Sequence, residues 1–131
     1  MAVFATETIM AKKILVIEDE KDIRDTIVYV LEEQGYVVTS SEDARILKSL
    51  DNIKPDLILL DNWLTEWKSD ANGQQISKEL KSNPATSHIP IIIISAVSNI
   101  QEIAEAGHAD AFLKKPFDLG QILDMVKKFT A

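Results

Sequence analysis

Asp56-Leu57-Ile58-Leu59-Leu60-Asp61 is an apolar run closed at each end by an acid. It is too short for a helix that stands by itself and shows no polar alternation, so it reads as a strand buried on both faces. Strands of that kind belong to parallel sheets covered by helices on both sides. Asp61 then stands at the carboxyl end of the strand, the edge at which open α/β sheets bind ligands.

The flanking chain repeats the pattern. Upstream, Ile14-Leu15-Val16-Ile17 is a second run of the same kind, ending in three acids, Glu18-Asp19-Glu20. A helix is predicted from about Lys21 to Gln34, with Ile23, Ile27, Val30 and Leu31 on one face and Gly35 as its stop. Tyr36-Val37-Val38-Thr39 reads as the next strand, and Ala44, Leu47 and Leu50 as a short helix broken by Lys54-Pro55. Downstream of Asp61, a helix is expected over Gly73 to Ser82 and a turn at Asn83-Pro84. Pro90 then opens the strand Ile91-Ile92-Ile93-Ile94, which ends at Ser95. A weak helix is placed near Asn99 to Glu105, closed by Gly107, and a short strand Ala111-Phe112-Leu113 leads into Lys114-Lys115-Pro116. The last helix starts with Asp118 and Gln121 at capping-box spacing and is expected to bury Leu119, Ile122, Leu123, Val126 and Phe129. Five strands alternating with five helices imply an α/β fold with a parallel sheet covered on both faces.

Composition bounds the function classes. The 131 residues suit one domain, placed at 12–131 after an extension, 1–11, that carries no motif; residues 1–9 precede a natural-looking start at Met10-Ala11-Lys12-Lys13 and read as an upstream start or a remnant of cloning. A net charge of −7 argues against nucleic acid as a direct partner, although it also serves plain solubility. There is no cysteine, hence neither a disulfide framework nor a thiolate metal site. No signal peptide or membrane span is legible at the start, so the cytoplasm is the expected location and no membrane partner is expected. The chain ends just after its fifth predicted helix, which reads as a stand-alone domain.

The strand ends carry the chemistry. Glu18 and Asp19, Asp61, Ser95 and Lys115 all fall at one edge of the predicted sheet. Carboxylates about 4 Å apart repel by roughly 4 kcal/mol per pair at an effective dielectric near 20, so three together call for a cation. Mg2+ suits an all-oxygen ligand set. Taken singly, Asp19 or Glu20 would serve as a helix N-cap or first-turn acid, Lys115 as a solvated lysine like Lys114, and Ser95 as a strand terminator. Trp67 reads as cover for apolar surface, and Trp63 has the same alternative. His88 and His108 have no partners at metal-ligand spacing and receive no role.

In this order and at these strand ends, Glu18-Asp19-Glu20, Leu59-Leu60-Asp61, Ile94-Ser95-Ala96 and Lys115-Pro116 resemble the receiver domains of two-component response regulators, over about residues 12 to 129. The resemblance implies a flavodoxin-like fold, a doubly wound five-stranded parallel sheet of order 2-1-3-4-5. It also implies that Asp61 accepts a phosphoryl group from a histidine kinase or phosphotransfer protein. Asp19, Asp61 and the backbone carbonyl of Trp63 would hold Mg2+, with Glu18 acting through a bound water. Lys115 and Ser95 would each bind a phosphoryl oxygen beside Ala96, and Phe112 matches the family's aromatic switch position. The signal would pass to a downstream protein by contact, without enzymatic turnover of another substrate.

The chain departs from the family pattern in places. Glu18 stands where aspartate is commoner, Thr65 where proline is usual, and Gly73 about four positions later than the usual glycine, so Leu64 to Asn72 reads as holding an insertion of about four residues. The stretch from Ser95 to Lys115 is slightly short. Three other readings compete. A haloacid-dehalogenase-type phosphatase would want a second aspartate where Trp63 stands. A flavodoxin-type FMN carrier would want a glycine- and hydroxyl-rich loop where the three acids stand. A pseudo-receiver would share the fold and never be phosphorylated.

Overall fold

Residues 11–62 and 72–131 are described by a computed structural model, in which the apolar runs line up as a five-stranded, all-parallel sheet. The strands are β1 (Lys13–Ile17), β2 (Val37–Ser41), β3 (Leu57–Asp61), β4 (Ile91–Ser95) and β5 (Ala111–Lys114). The helices are α1 (Lys21–Glu33), α2 (Leu50–Ile53), α3 (Gly73–Ser82), α4 (Ile100–Ala106) and α5 (Leu119–Thr130), and a 3-10 helix (Ala44–Ser49) leads into α2. The order β2-β1-β3-β4-β5 is the one expected, a doubly wound flavodoxin-like sheet.

Register turns the apolar runs into two cores. Ile14 pairs with Leu57, and Ile58 with Ile91, so the residues paired across neighbouring strands share a face. Ile14, Val16, Leu57, Leu59, Ile92 and Ile94 face Ile27 and Leu31 of α1 and Ile122 and Val126 of α5. Leu15, Ile17, Ile58, Leu60, Ile91 and Ile93 face the opposite way, against Leu50 of α2 and Ile76 of α3. Burying both parities removes any reason for alternation, which is why these strands are continuous runs of Ile, Leu and Val. Each such side chain contributes about 1.5–3 kcal/mol by leaving water.

Local chemistry sets the element ends. Gly35 takes φ 93, and the N–H groups of Gly35 and Tyr36 return to the carbonyls of Glu32 and Leu31, closing α1. That bond holds Tyr36 out of the sheet, so β2 runs Val37–Ser41 and not over the predicted Tyr36–Thr39. The second helix is mostly 3-10 because Ala44, Leu47 and Leu50 recur every third residue, the 3-10 period. Lys54 ends α2 in the left-handed region at φ 50. α4 starts one residue later than expected, at Ile100. Asp118 and Gln121 form the full capping box of α5, but Leu119 is 42% exposed, contrary to its predicted burial, because it lies in the first turn and beyond the sheet edge that Ile122 and Val126 cover.

Candidate functional site

The carboxyl edge is assembled by continuing the strand pairings past the strands. The Glu18 N–H donates to the Ser41 carbonyl at 3.0 Å, and the Asn62 N–H to the Ile94 carbonyl at 3.0 Å. The Lys115 N–H donates to the Ser95 carbonyl at 2.9 Å. Arg24 of α1 donates to the Glu18 carbonyl at 2.9 Å and holds the turn after β1. Glu18, Asp19, Asp61, Ser95 and Lys115, predicted at strand ends, are thereby brought to one edge.

Glu18, Asp19 and Asp61 each offer an oxygen within 4.8 Å of the others. Glu18 and Asp61 are almost wholly buried, 1% and 4% exposed. Lys115, whose side chain is 12% exposed, donates to Glu18 Oε2 at 3.3 Å, Glu20 Oε1 at 3.2 Å and Asp61 Oδ1 at 3.4 Å. Glu18 Oε1 lies 3.1 Å from the same ammonium yet accepts no hydrogen bond among the described residues, which leaves a buried carboxylate oxygen without a donor there. An all-oxygen group with an unsatisfied buried oxygen fits a hard divalent cation such as Mg2+, which Glu18, Asp19 and Asp61 would hold.

Burial, and then the charge of Glu18, push the Asp61 carboxyl up to about 8; Lys115 opposes them only in part. Burial likewise raises Glu18 above its ordinary value. Burial works to lower Lys115, but the carboxylates of Asp61 and Glu18 outweigh it and the ammonium is held above its usual range. One lysine therefore falls short of ionising the whole cluster. A divalent cation would restore Asp61 to the carboxylate form, the form that can act as a nucleophile.

The remaining predicted residues surround this centre. Ser95 is 1% exposed, and its Oγ accepts the Val97 N–H at 3.3 Å. Ala96, exposed, lines with Lys115, Pro116 and Leu119 a cleft of about 490 Å³ against Ile23 and Thr26 of α1. The Lys115–Pro116 peptide is cis. Phe112, on β5 opposite Ile93, is 37% exposed. Trp63, whose carbonyl is the remaining predicted metal ligand, lies outside the described residues, as do Thr65 and Trp67. His88 lines a different cleft, of about 530 Å³, with Lys12, Pro55 and Phe129. His108 follows α4 at φ 58. Neither belongs to the acidic group.

Asn62, which the sequence did not single out, and Gly73, which it did, hold the far side of the site. Asn62, 1% exposed, accepts the Gly73 N–H on its carbonyl at 2.9 Å and the Gln74 N–H on its side chain at 3.0 Å, which docks the start of α3 onto the end of β3. A Cβ on Gly73 would lie 2.7 Å from the Asn62 Cα and 3.0 Å from the Asp61 carbonyl oxygen, so only glycine permits this approach. Residues 62 and 73 thus meet directly, and the insertion predicted within Leu64 to Asn72 lies, but for Asn72, outside the described residues. The late glycine was the available signal.

The described geometry agrees with comparisons to known proteins. The pattern of the response regulator receiver domain family matches residues 14–127. The phosphate regulon transcriptional regulatory protein PhoB of Escherichia coli is 35% identical over 122 residues, covering 90% of this chain and 51% of that protein. The chain spans about half the length of the curated relatives it matches. Among solved structures, the receiver domain of NtrX from Brucella abortus superposes with a TM-score of 0.78 at 29% identity, over 89% of this chain and 97% of that one. The response regulator TrrA from Thermotoga maritima, solved in complex with Mg2+ and BeF, gives 0.76 at 27% identity, over 90% and 98%. With a family match over residues 14–127 and the expected sheet order, this chain belongs to the response regulator receiver domain family.

Proposed function

We propose that the chain is a phosphoacceptor that takes a phosphoryl group from a phosphohistidine onto Asp61 and signals by protein contact. The observation that carries this reading is the pairing of a three-carboxylate group, two of its members buried and one oxygen without a donor among the described residues, with a lysine held 3.4 Å from Asp61. In the transfer, an Asp61 oxygen attacks phosphorus, the N–P bond to the donor imidazole breaks, and the electron pair stays on that nitrogen. Asp19 and Asp61 would hold Mg2+, with Glu18 acting through a bound water and the Trp63 carbonyl proposed as a further ligand. The cation would supply charge neutralisation. Lys115 takes one phosphoryl oxygen and the Ser95 hydroxyl donates to another, with Ala96 leaving room beside them. Little is required of the protein beyond positioning and electrostatic stabilisation. The reaction is stoichiometric, followed by slow self-hydrolysis, and is not turnover of a separate substrate.

The donor would be a histidine kinase or a phosphotransfer protein, in the cytoplasm. The receiver would occupy residues 12–131, with 1–11 preceding it. No helix among the described residues is long and apolar enough to cross a membrane. The net charge of −7 favours a protein over nucleic acid as the direct contact of this domain, and PhoB, named a transcriptional regulator, is matched over about half its length. Intact-mass measurement after incubation with acetyl phosphate tests the proposal. One phosphoryl adduct per chain is expected, dependent on Mg2+ and lost in Asp61→Asn. An adduct that persists in Asp61→Asn places the acceptor elsewhere. No adduct in the wild type leaves a constitutive interaction module.

A further inference from the structure

Glu20 follows the acidic pair and serves as the N-cap of α1, where a carboxylate ordinarily accepts a first-turn N–H, yet its side chain makes no capping bond. It turns instead to Lys115, with Oε1 3.2 Å from Nζ, while remaining 61% exposed. An ammonium has three donors, and here the carboxylates of Glu18, Glu20 and Asp61 take all three. A phosphoryl oxygen can reach Lys115 by hydrogen bond only if one of them yields. Glu18 and Asp61 are buried, so each would lose a hydrogen bond that bulk water cannot readily replace. Glu20 is the partner that water can re-solvate, and it lies outside the group that could hold a metal.

We propose that Glu20 is a latch on Lys115: a positioning residue that competes with the incoming phosphoryl oxygen for the ammonium and so sets how readily the site takes up and keeps the group. The proposal rests on the phosphoacceptor reading above. Because the capping bond is absent, Glu20→Ala removes the latch without removing a helix cap.

The test uses the full chain, with beryllofluoride as the phosphoryl probe at saturating Mg2+. Glu20→Ala is expected to lower the half-saturating beryllofluoride concentration by about two- to fivefold, the range for an exposed ion pair. In a Lys115→Ala background the same substitution is expected to change it little, since the effect runs through the ammonium. No gain in the single variant, or an equal gain without Lys115, overturns the latch. A second measurement needs no adduct: the 15N resonance of Lys115 Nζ in the metal-free protein is expected to shift in Glu20→Ala, and an unchanged resonance overturns the ion pair on which the latch depends. A wild type that binds no beryllofluoride while the Nζ resonance still responds to Glu20→Ala overturns the phosphoacceptor reading, and the latch's competition falls with it.

Discussion

The Asp61 carboxyl carries a burden that its fold does not relieve without a cation. Its ordinary value of 3.8 is raised to about 8, first by burial and then by Glu18. Between those values the metal-free folded state binds more protons than the unfolded chain, so this group makes stability fall as pH rises from about 4 to about 8. Glu18 is shifted in the same direction. Asp61→Asn removes the titrating group and should therefore stabilise the metal-free protein at pH 8, by about 1–2 kcal/mol after the lost attraction to Lys115 is discounted. At pH 4, where Asp61 is protonated in the folded state, the gain should vanish. Denaturant melts at the two pH values in a chelator check this, and a variant less stable than wild type at pH 8 would contradict it. Millimolar Mg2+ should narrow the gap at pH 8 by stabilising the wild type alone.

Where the start of α3 meets the end of β3 there is no room for a side chain at residue 73. Gly73→Ala would drive a Cβ to 2.7 Å from the Asn62 Cα, against backbone that cannot rotate away, and should cost about 1–3 kcal/mol. Gly35→Ala offers a control: its added Cβ meets nothing within 4 Å, but φ 93 makes it strained by about 1 kcal/mol. Both should lower stability, but only Gly73→Ala should weaken Mg2+ binding, because only it displaces the backbone next to Asp61; equal Mg2+ affinities would show that the junction does not position the site. This junction also marks where sequence reading stops. β1, β3 and β4 were legible because burial on both faces leaves an unbroken apolar run, and the capping box of α5 because its chemistry is local. Asn62 was not legible, since its two bonds to the start of α3 span a long separation in the chain and no local pattern encodes them. Leu119 misled for a related reason: helical spacing assigns a face to each residue, but not whether the sheet extends far enough to cover it. The acids, Ser95 and Lys115 were legible as a set because each terminates a strand. The partition of Lys115 among Glu18, Glu20 and Asp61 was not, being a matter of side-chain reach across the edge.

At the scale of the whole molecule, the phosphoryl transfer proposed at Asp61 would have to be felt on a distant surface, and the sheet offers a route. Ile93 pairs with Phe112 and Ser95 with Lys114, so Ser95 and Phe112 share a face of the sheet on neighbouring strands. Ser95 is buried with its hydroxyl oxygen engaged by the Val97 N–H, and Phe112 is 37% exposed. If Ser95 turns its hydroxyl to a phosphoryl oxygen, that bond to Val97 is lost and the start of the segment before α4 is freed, which opens space toward which Phe112 can move. A ligand shifts such an equilibrium only by its differential affinity for the two arrangements, here the new bonds from Ser95 and Lys115. Ser95→Ala should therefore still form the adduct at Asp61 while transmitting it poorly. In amide NMR spectra with beryllofluoride and Mg2+, the wild type should show shifts reaching Phe112 and α5, and Ser95→Ala should confine them to the surroundings of Glu18, Asp61 and Lys115. Long-range shifts of equal size in both proteins would route the coupling elsewhere, through Lys115 and the β5–α5 connection, since the Lys115 N–H bond to the Ser95 carbonyl survives the substitution.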